Sequence, residues 1–231
     1  MISLPQSDGT LILIRQTVHA GHSAQLAKAW RRPSVLPAEP WHHLILAAQR
    51  HDDGWSLAEH CPTLDPCGRP CDFKELPSQQ HIQIWRRGVD LAEHRHHYQA
   101  LLTAQHARSV CVQYPTDQRA QQAFIEELTL RMDKYLDRLA HGSDWETTAV
   151  EPHNLAIAQQ LVSFFDAFSL AMLGGLPWSE RSPTTRFGNH EATLLLTRSD
   201  TDTHAAYVDP WPFTMSSVAL PTTLMHLKQH T

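Results

Sequence analysis

A histidine and an aspartate, His51 and Asp52, stand side by side at the end of an apolar helical pattern in a chain that holds 17 histidines. Imidazole and carboxylate groups are common ligands of transition metals. Two adjacent residues both reach one metal only where the backbone turns, as it does at a helix end. The pair alone is weak evidence, because a helix-ending histidine followed by a polar turn has the same sequence.

Asp166 is the second residue that suggests metal chemistry. It lies in the apolar stretch LVSFFDAFSL, residues 161–170. A carboxylate within so much hydrophobic surface is costly unless it is paired or bound to a cation. The alternative is a solvent-facing stripe that Asp166 shares with Ser163 and Ser169. We favour the metal ligand, because a bound cation stabilises a buried negative charge.

Further histidines precede and follow the His-Asp pair. His22 lies on the preceding predicted helix, and His81 lies near the start of the following one. His106 lies within an apolar helical pattern. His19, one helical turn before His22, is the main alternative to His22.

The order His22, His51-Asp52, Asp166, each on a separate predicted helix, resembles the HD superfamily of metal-dependent phosphohydrolases. His81 and His106 resemble the two additional histidines of its binuclear members. The segments AAQRHDDGW, PCDF, ALLTAQH, FFDAFSL and PWPF resemble a bacterial family, domain of unknown function 3891 (DUF3891), over nearly the whole chain.

The resemblance to the HD superfamily implies a centre of two metal ions. Asp52 would bridge the metals. The ligand set fits Fe, Mn, Zn, Co or Ni, with iron favoured. Such a centre activates a water for in-line attack on a phosphoryl group. The implied ligands are His22, His51, Asp52, His81, His106 and Asp166.

The residues after the His-Asp pair depart from the HD pattern. Many HD phosphohydrolases continue into a short segment ending in a phosphate-binding lysine, whereas this chain has Asp53-Gly54-Trp55. Asp53 is a candidate catalytic base or orienting group, or a turn residue ahead of the glycine. Substrate binding is therefore assigned to other cations and one aromatic residue: Arg50, Trp55, Lys74, Arg86 and Arg108.

Three functions fit these residues. The first is a binuclear phosphohydrolase or phosphodiesterase acting on a small phosphorylated metabolite or nucleotide. The second is an HD-type mixed-valent di-iron oxygenase, and the third is a non-catalytic, metal-stabilised binding module. Hydrolysis ranks first because it is the more common use of the scaffold, which is an argument by analogy.

The composition narrows the class of protein. The chain has 231 residues, 42% of them hydrophobic, and a net charge of -5. A mildly acidic chain is a poor general nucleic-acid binder, and we expect neither a membrane segment nor a secretory signal. We expect a cytoplasmic protein with a small-molecule substrate. The sequence does not decide whether the protein forms a homo-oligomer. Free thiols are expected at Cys61, Cys67, Cys71 and Cys111.

Hydrophobic periodicity and turn residues predict a mainly α fold with a small antiparallel β appendage. The resemblance to the HD superfamily implies that its helices form an HD-domain-like bundle. Helices are predicted at 19–31, 41–51, 79–95, 97–112, 116–139 and 153–173, and strands at 10–16, 192–197, 204–208 and 216–220. Gly54 is expected to supply a left-handed helix cap, and residues 57–77 are expected to form a long loop. The predicted units are an N-terminal strand (1–16) joining the appendage, the helical metal-binding domain (17–176) and the β-rich C-terminal segment (177–231).

Overall fold

The structure, a computed structural model, describes residues 1–113, 117–202 and 205–227. Its α-helices are α1 (Gln16–Ala29), α2 (Ala38–Arg50), α3 (Trp55–His60), α4 (Ser78–Glu93), α5 (His97–Gln113), α6 (Gln118–Ala140), α7 (Asp144–Ala149) and α8 (Pro152–Met172). Its strands are β1 (Ile2–Pro5), β2 (Leu11–Ile14), β3 (Arg181–Phe187), β4 (His190–Arg198), β5 (Ala206–Asp209) and β6 (Met225–Leu227). The prediction of a mainly α protein with a small antiparallel β part is confirmed.

The helices α1, α2, α5 and α8 pack against one another and form the centre of the fold. Trp30, just after α1, is 2% exposed and its ring lies 5.2 Å from the rings of both Phe164 and Phe165 of α8. The same ring contacts Phe187 of β3 and Phe213 near the C-terminus. Aromatic packing around one tryptophan therefore joins the helical core to the β-rich segment.

α8 is the most apolar helix of the described chain. It is long and apolar enough to cross a membrane, but 61% of its most apolar stretch is buried within the protein. Its apolar side chains pack against α1, α2 and α5. α8 is therefore a core helix, ended by Gly174 at φ +76°, a conformation that glycine adopts without strain.

Two separate three-stranded antiparallel sheets flank the helices, in the orders β1-β2-β6 and β3-β4-β5. The N-terminal strands pair with β6 through Leu11 opposite Leu227, and do not join the β3-β4-β5 sheet. The predicted strand at 216–220 is wrong, because Val218 and Leu220 pack on the core without pairing to a strand. Of the strand predicted at 204–208, β5 contains residues 206–208, while His204 lies outside the described residues.

The predicted long loop at 57–77 contains more regular structure than expected. α3 occupies its start, and a 3-10 turn, Phe73–Glu75, lies near its end. The Asp72 carboxylate accepts hydrogen bonds from the backbone N–H groups of Lys74 and of Ser3 in β1. The segment is thereby fixed to the N-terminal sheet.

The expected left-handed cap at Gly54 is wrong, because its φ is -59°. Glycine is needed there for close packing instead. A Cβ on Gly54 would overlap the carbonyl oxygen of Ile84 and lie 2.9 Å from the nitrogen of Gly88, both in α4. The turn after α2 therefore packs directly against the backbone of α4.

We expect Gly54→Ala to lower the free energy of unfolding by about 1–3 kcal/mol, because the added methyl group forces α4 away from the turn. The control is Gly21→Ala, since a Cβ at that helical position meets nothing within 4 Å. That control should raise the free energy by about 0.5–1 kcal/mol. Urea unfolding measures both, and equal stability of the two variants would contradict the close-packing argument.

Candidate metal centre

Four segments bring histidine and aspartate side chains to one point in the core. His19 comes from α1, His51 and Asp52 from the turn after α2, His106 from α5 and Asp166 from α8. Two groups, His19-His51-Asp52 and His51-His106-Asp166, each have ligand atoms within 4.8 Å of one another.

The turn after α2 allows two neighbouring residues to face the same point. α2 ends at Arg50, and the backbone N–H groups of Asp53 and Trp55 donate to the carbonyls three residues earlier, those of Arg50 and Asp52. The chain therefore keeps turning tightly through His51 and Asp52. This placement agrees with the expectation that adjacent ligands lie at a helix end.

The ring Nε2 atoms of the histidines face the two carboxylates. His19 Nε2 lies 3.1 Å from Asp52 Oδ2 and 3.3 Å from Asp166 Oδ1. His51 Nε2 lies 3.2 Å from Asp166 Oδ1, and His106 Nε2 lies 3.7 Å from Asp166 Oδ2. Asp166 therefore contacts all three histidines.

The opposite ring nitrogens of two histidines already have partners. His51 Nδ1 lies 2.8 Å from the carbonyl oxygen of Ala48, which only accepts, so Nδ1 carries a hydrogen. His19 Nδ1 lies 2.5 Å from Ser169 Oγ, whose hydroxyl donates to the carbonyl of Asp166. When the imidazoles are neutral, both Nε2 atoms are thus left with a lone pair directed at the cluster.

The cluster fits a metal ion. His19 Nε2 and His51 Nε2 lie 3.3 Å apart, and two nitrogen ligands about 2.1 Å from one ion and about 100° apart are separated by about 3.2 Å. Lone pairs and carboxylates at such distances repel one another unless a proton or a cation lies between them. A histidine that binds a metal through one ring nitrogen usually has its other ring nitrogen hydrogen-bonded to an oxygen of the protein, as His19 and His51 do here.

The charges of the cluster shift the pKa values of His51 and Asp166 so that both side chains favour their charged forms. Burial disfavours the charged form of His51, yet the carboxylates of Asp52 and Asp166 outweigh that effect and raise the pKa of His51 to about 9. Burial also opposes ionisation of Asp166, but the surrounding histidines hold its pKa well below its usual value. In the protein alone, a proton on His51 therefore supplies the positive charge that a bound cation would supply.

His22, a predicted metal ligand, is not part of this cluster. Its Nε2 lies 2.9 Å from the carbonyl oxygen of Pro221, in the C-terminal segment. His19, one helical turn earlier, takes the place expected for His22. The two residues lie one turn apart on the same side of α1, but His22 contacts the C-terminal segment whereas His19 contacts the cluster.

His81, another predicted ligand, lies beside the cluster but not among its convergent atoms. Its Nε2 donates to the carbonyl of Phe73 at 2.6 Å, and its ring packs on those of Trp55 and Trp85 at 5.6 and 5.2 Å. Burial lowers the pKa of His81, which favours a neutral ring. The structure thus brings together four of the six predicted ligands and leaves His81 close by.

A cavity of about 350 Å³, termed the first cavity, opens beside the cluster. Asp52, His106 and Asp166 line it together with His81. Two of the predicted substrate-binding residues, Trp55 and Lys74, also line it. The Lys74 ammonium donates to the carbonyl of Gly175 at 3.1 Å, lies 3.5 Å from the Asp72 carboxylate and is half exposed.

The other predicted substrate and catalytic residues lie elsewhere. The Asp53 carboxylate pairs with Arg95 at 2.7 Å, which leaves it unsuited to act as a base at the cluster. Arg86 pairs with Glu127 at 2.6 Å, and Arg108 lines a groove between α5 and α6. Arg50 ends α2 and is not among the residues that line the first cavity.

Two serines behind His19 were not predicted as part of the site. Ser169 and Ser23 are both fully buried, and their hydroxyl oxygens lie 3.0 Å apart. The less favoured alternative from the sequence, a solvent-facing stripe that includes Ser169, is excluded by the burial of Ser169. Its spacing of three residues from Asp166, one helical turn, was the available signal.

Taken together, the fold and the cluster define a mainly α protein with a buried histidine–aspartate centre that fits a metal ion. Residues 1–229 match DUF3891, described as a protein of unknown function. The chain belongs to the DUF3891 family. None of the curated proteins or solved structures compared with it matches.

Replacing Ser169 by alanine removes the hydrogen bond that orients His19. We expect Ser169→Ala to weaken transition-metal binding by about 10- to 100-fold, as loss of a partner behind a ligating histidine typically does. Competition with a metal-sensitive dye measures the affinity. The matched control is Ser163→Ala on the same helix, since no hydrogen bond among the described residues joins Ser163 to the cluster. Equal affinity of the two variants would refute the positioning role of Ser169.

Proposed function

We propose that the protein is a metal-dependent hydrolase that acts on a small phosphorylated molecule. The observation that carries the proposal is the convergence of three imidazoles and two carboxylates in the core, beside a cavity large enough for a small molecule. The order of the ligands along the chain, with His19 in the first position, still resembles the HD superfamily. Membership of that superfamily is part of the proposal.

Each residue has a role in this proposal. His19, His51 and Asp52 would hold one metal, and His106 and Asp166, with His81 nearby, would hold a second. Metals held there would lower the pKa of a water and polarise a phosphoryl oxygen of the substrate. The bridging role implied for Asp52 stays a prediction. Asp166 is an equally strong candidate, because it contacts histidines of both groups.

Lys74 and the aromatic walls of the first cavity would bind the substrate. Lys74 is the only lysine or arginine among the residues that line this cavity, so it is the group available for a phosphate oxygen. The rings of Trp55 and Trp85 narrow the cavity around His81. Substrate bound there would exclude water from the metals.

A di-iron oxygenase is the second candidate. The observation that favours it is the scarcity of cations in the first cavity, since Lys74 faces a lining that includes Trp55, Phe73 and Trp85. Phosphate recognition usually involves several donors. An oxygenase substrate of low charge would fit such walls better. Iron content with oxygen-dependent turnover would select this candidate over hydrolysis.

We place the protein in the cytoplasm as part of the proposal. Its cysteines are unpaired, and Cys61 and Cys67 are exposed. Exposed free thiols persist in a reducing compartment.

Purified protein that holds metal but turns over neither phosphate esters nor oxygen-dependent substrates would favour the third function, a non-catalytic metal-stabilised module.

Metal content tests the proposal directly. We expect freshly purified protein to hold a transition metal, and Asp166→Asn to lose most of it, because the amide removes the charge that contacts all three histidines. Plasma mass spectrometry measures the content. The control is Asp137→Asn, whose carboxylate is 78% exposed on α6. Retention of full metal by the Asp166 variant would contradict the assignment.

Substitution of Lys74 tests the phosphate-binding role. We expect Lys74→Ala to lower kcat/KM for a phosphate ester by roughly 10- to 100-fold, the usual cost of one charged hydrogen bond. Arg108→Ala should change it less than about twofold, because Arg108 lies on a different groove. Steady-state assays with p-nitrophenyl phosphate give both values. If loss of Arg108 has the larger effect, the substrate does not bind in the first cavity.

A further inference from the structure

A second cavity, of about 370 Å³, borders the first and also touches the cluster. It is enclosed by α8, α5 and the first strand of the C-terminal sheet, β3. Six residues line both cavities, and they include the candidate ligands His106 and Asp166. The two cavities therefore meet at the cluster, and a molecule bound at the metals borders on both.

The second cavity differs from the first in its chemistry. Its walls include the rings of Phe164, Phe168 and Trp178 and the side chain of Leu196, with uncharged polar residues between them. The formal charges among its lining residues are Asp166, at the shared wall, and Arg181, which is exposed to solvent. Binding of a charged group deep in this cavity would be unfavourable.

Two residues in these walls have a buried polar atom without a hydrogen-bond partner among the described residues, His106 at Nδ1 and Thr185 at Oγ1. Thr185 of β3 lines the second cavity and is 1% exposed, and its Oγ1 has no hydrogen-bond partner among the described residues. Buried hydroxyl groups are rarely left unsatisfied. The Thr185 oxygen is itself buried, so it makes this wall more polar but is not available to a molecule in the cavity.

We propose that the second cavity binds an uncharged, mainly apolar part of the substrate, while the reacting polar group lies at the cluster. The substrate is thus a molecule with two ends: a polar end that reaches the metal and the first cavity, and an alkyl or aromatic portion that lies against Phe168 and Trp178. This inference rests on the proposed metal centre and names the substrate class for it.

The size of the second cavity and the hydrophobic effect set its expected contribution to the affinity for a bound molecule. A volume of about 370 Å³ is at the lower end of small-molecule sites, which suits a ring or a short chain. Each methylene transferred from water contributes about 0.8 kcal/mol, or about a three- to fourfold change in affinity.

A series of linear alkyl hydroxamic acids tests the proposal without relying on activity. The hydroxamate head chelates transition metals, and the chain length is varied from acetohydroxamic to octanohydroxamic acid. Calorimetry on the metal-loaded full chain should show affinity rising about three- to fourfold per methylene, roughly 100-fold from the two-carbon to the six-carbon compound. Metal content after each titration verifies that the metal stays bound.

A variant that obstructs the second cavity tests whether the alkyl chain binds there. Ala167 lines this cavity and is exposed, so Ala167→Trp obstructs it without burying a new side chain in the core. Ala156→Trp, on the same helix and also exposed, is the control because Ala156 is not among the residues that line either cavity. Ala167→Trp should abolish the chain-length dependence and leave acetohydroxamic acid binding intact, while the control keeps both.

The outcomes separate this proposal from the one on which it rests. Binding that does not depend on chain length overturns the second-cavity proposal alone, and so does a length dependence that survives Ala167→Trp. Protein that holds no metal and binds none of the hydroxamates overturns the proposed metal-dependent function and this inference with it.

Discussion

The structure depends on one electrostatic constraint, the burial of two carboxylates among three imidazoles. Asp52 and Asp166 approach His19 and His51 closely, and the side chains of both histidines are only 1% exposed. Burial of these charges costs several kcal/mol unless positive charge lies at the same place. A proton meets this need in the protein alone. A metal ion meets it with more ligands, and the hydrogen bonds behind the histidines hold their Nε2 atoms ready for it.

The fold is arranged around this constraint. Four helical segments deliver the five side chains, and each is held by packing at a distance from the cluster. Gly54 and Gly88 let the turn after α2 lie against α4, and Trp30 joins α1 to α8 and to the C-terminal sheet. The β-rich segment contributes a wall of the second cavity through Thr185 and Leu196. The appendage thus borders the proposed site as well as completing the fold.

Part of this site could be predicted from the sequence, because its signals are local. A carboxylate in an apolar helix, Asp166, and a His-Asp pair at a helix end both conflict with ordinary burial patterns. The choice between His19 and His22 could not be made in that way, because both are buried on α1 and burial does not reveal which cavity a side chain faces. The partner of His22, the carbonyl of Pro221, is far away in sequence. The long helices followed from periodicity. β1 and β6 have only four and three residues, and the pairing of β1, β3 and β6 is not specified by local patterns.

Anomalous X-ray diffraction from crystals of the purified protein tests the central claim most directly. Data collected on both sides of the absorption edge of the metal found in the protein locate that metal. The account predicts a peak about 2.0–2.3 Å from the Nε2 atoms of His19 and His51 and from a carboxylate oxygen of Asp52 or Asp166. The account would be contradicted by a map with its metal peak at other residues. It would also be contradicted by an ordered cluster that has no peak and in which the His51 ring is hydrogen-bonded to both carboxylates.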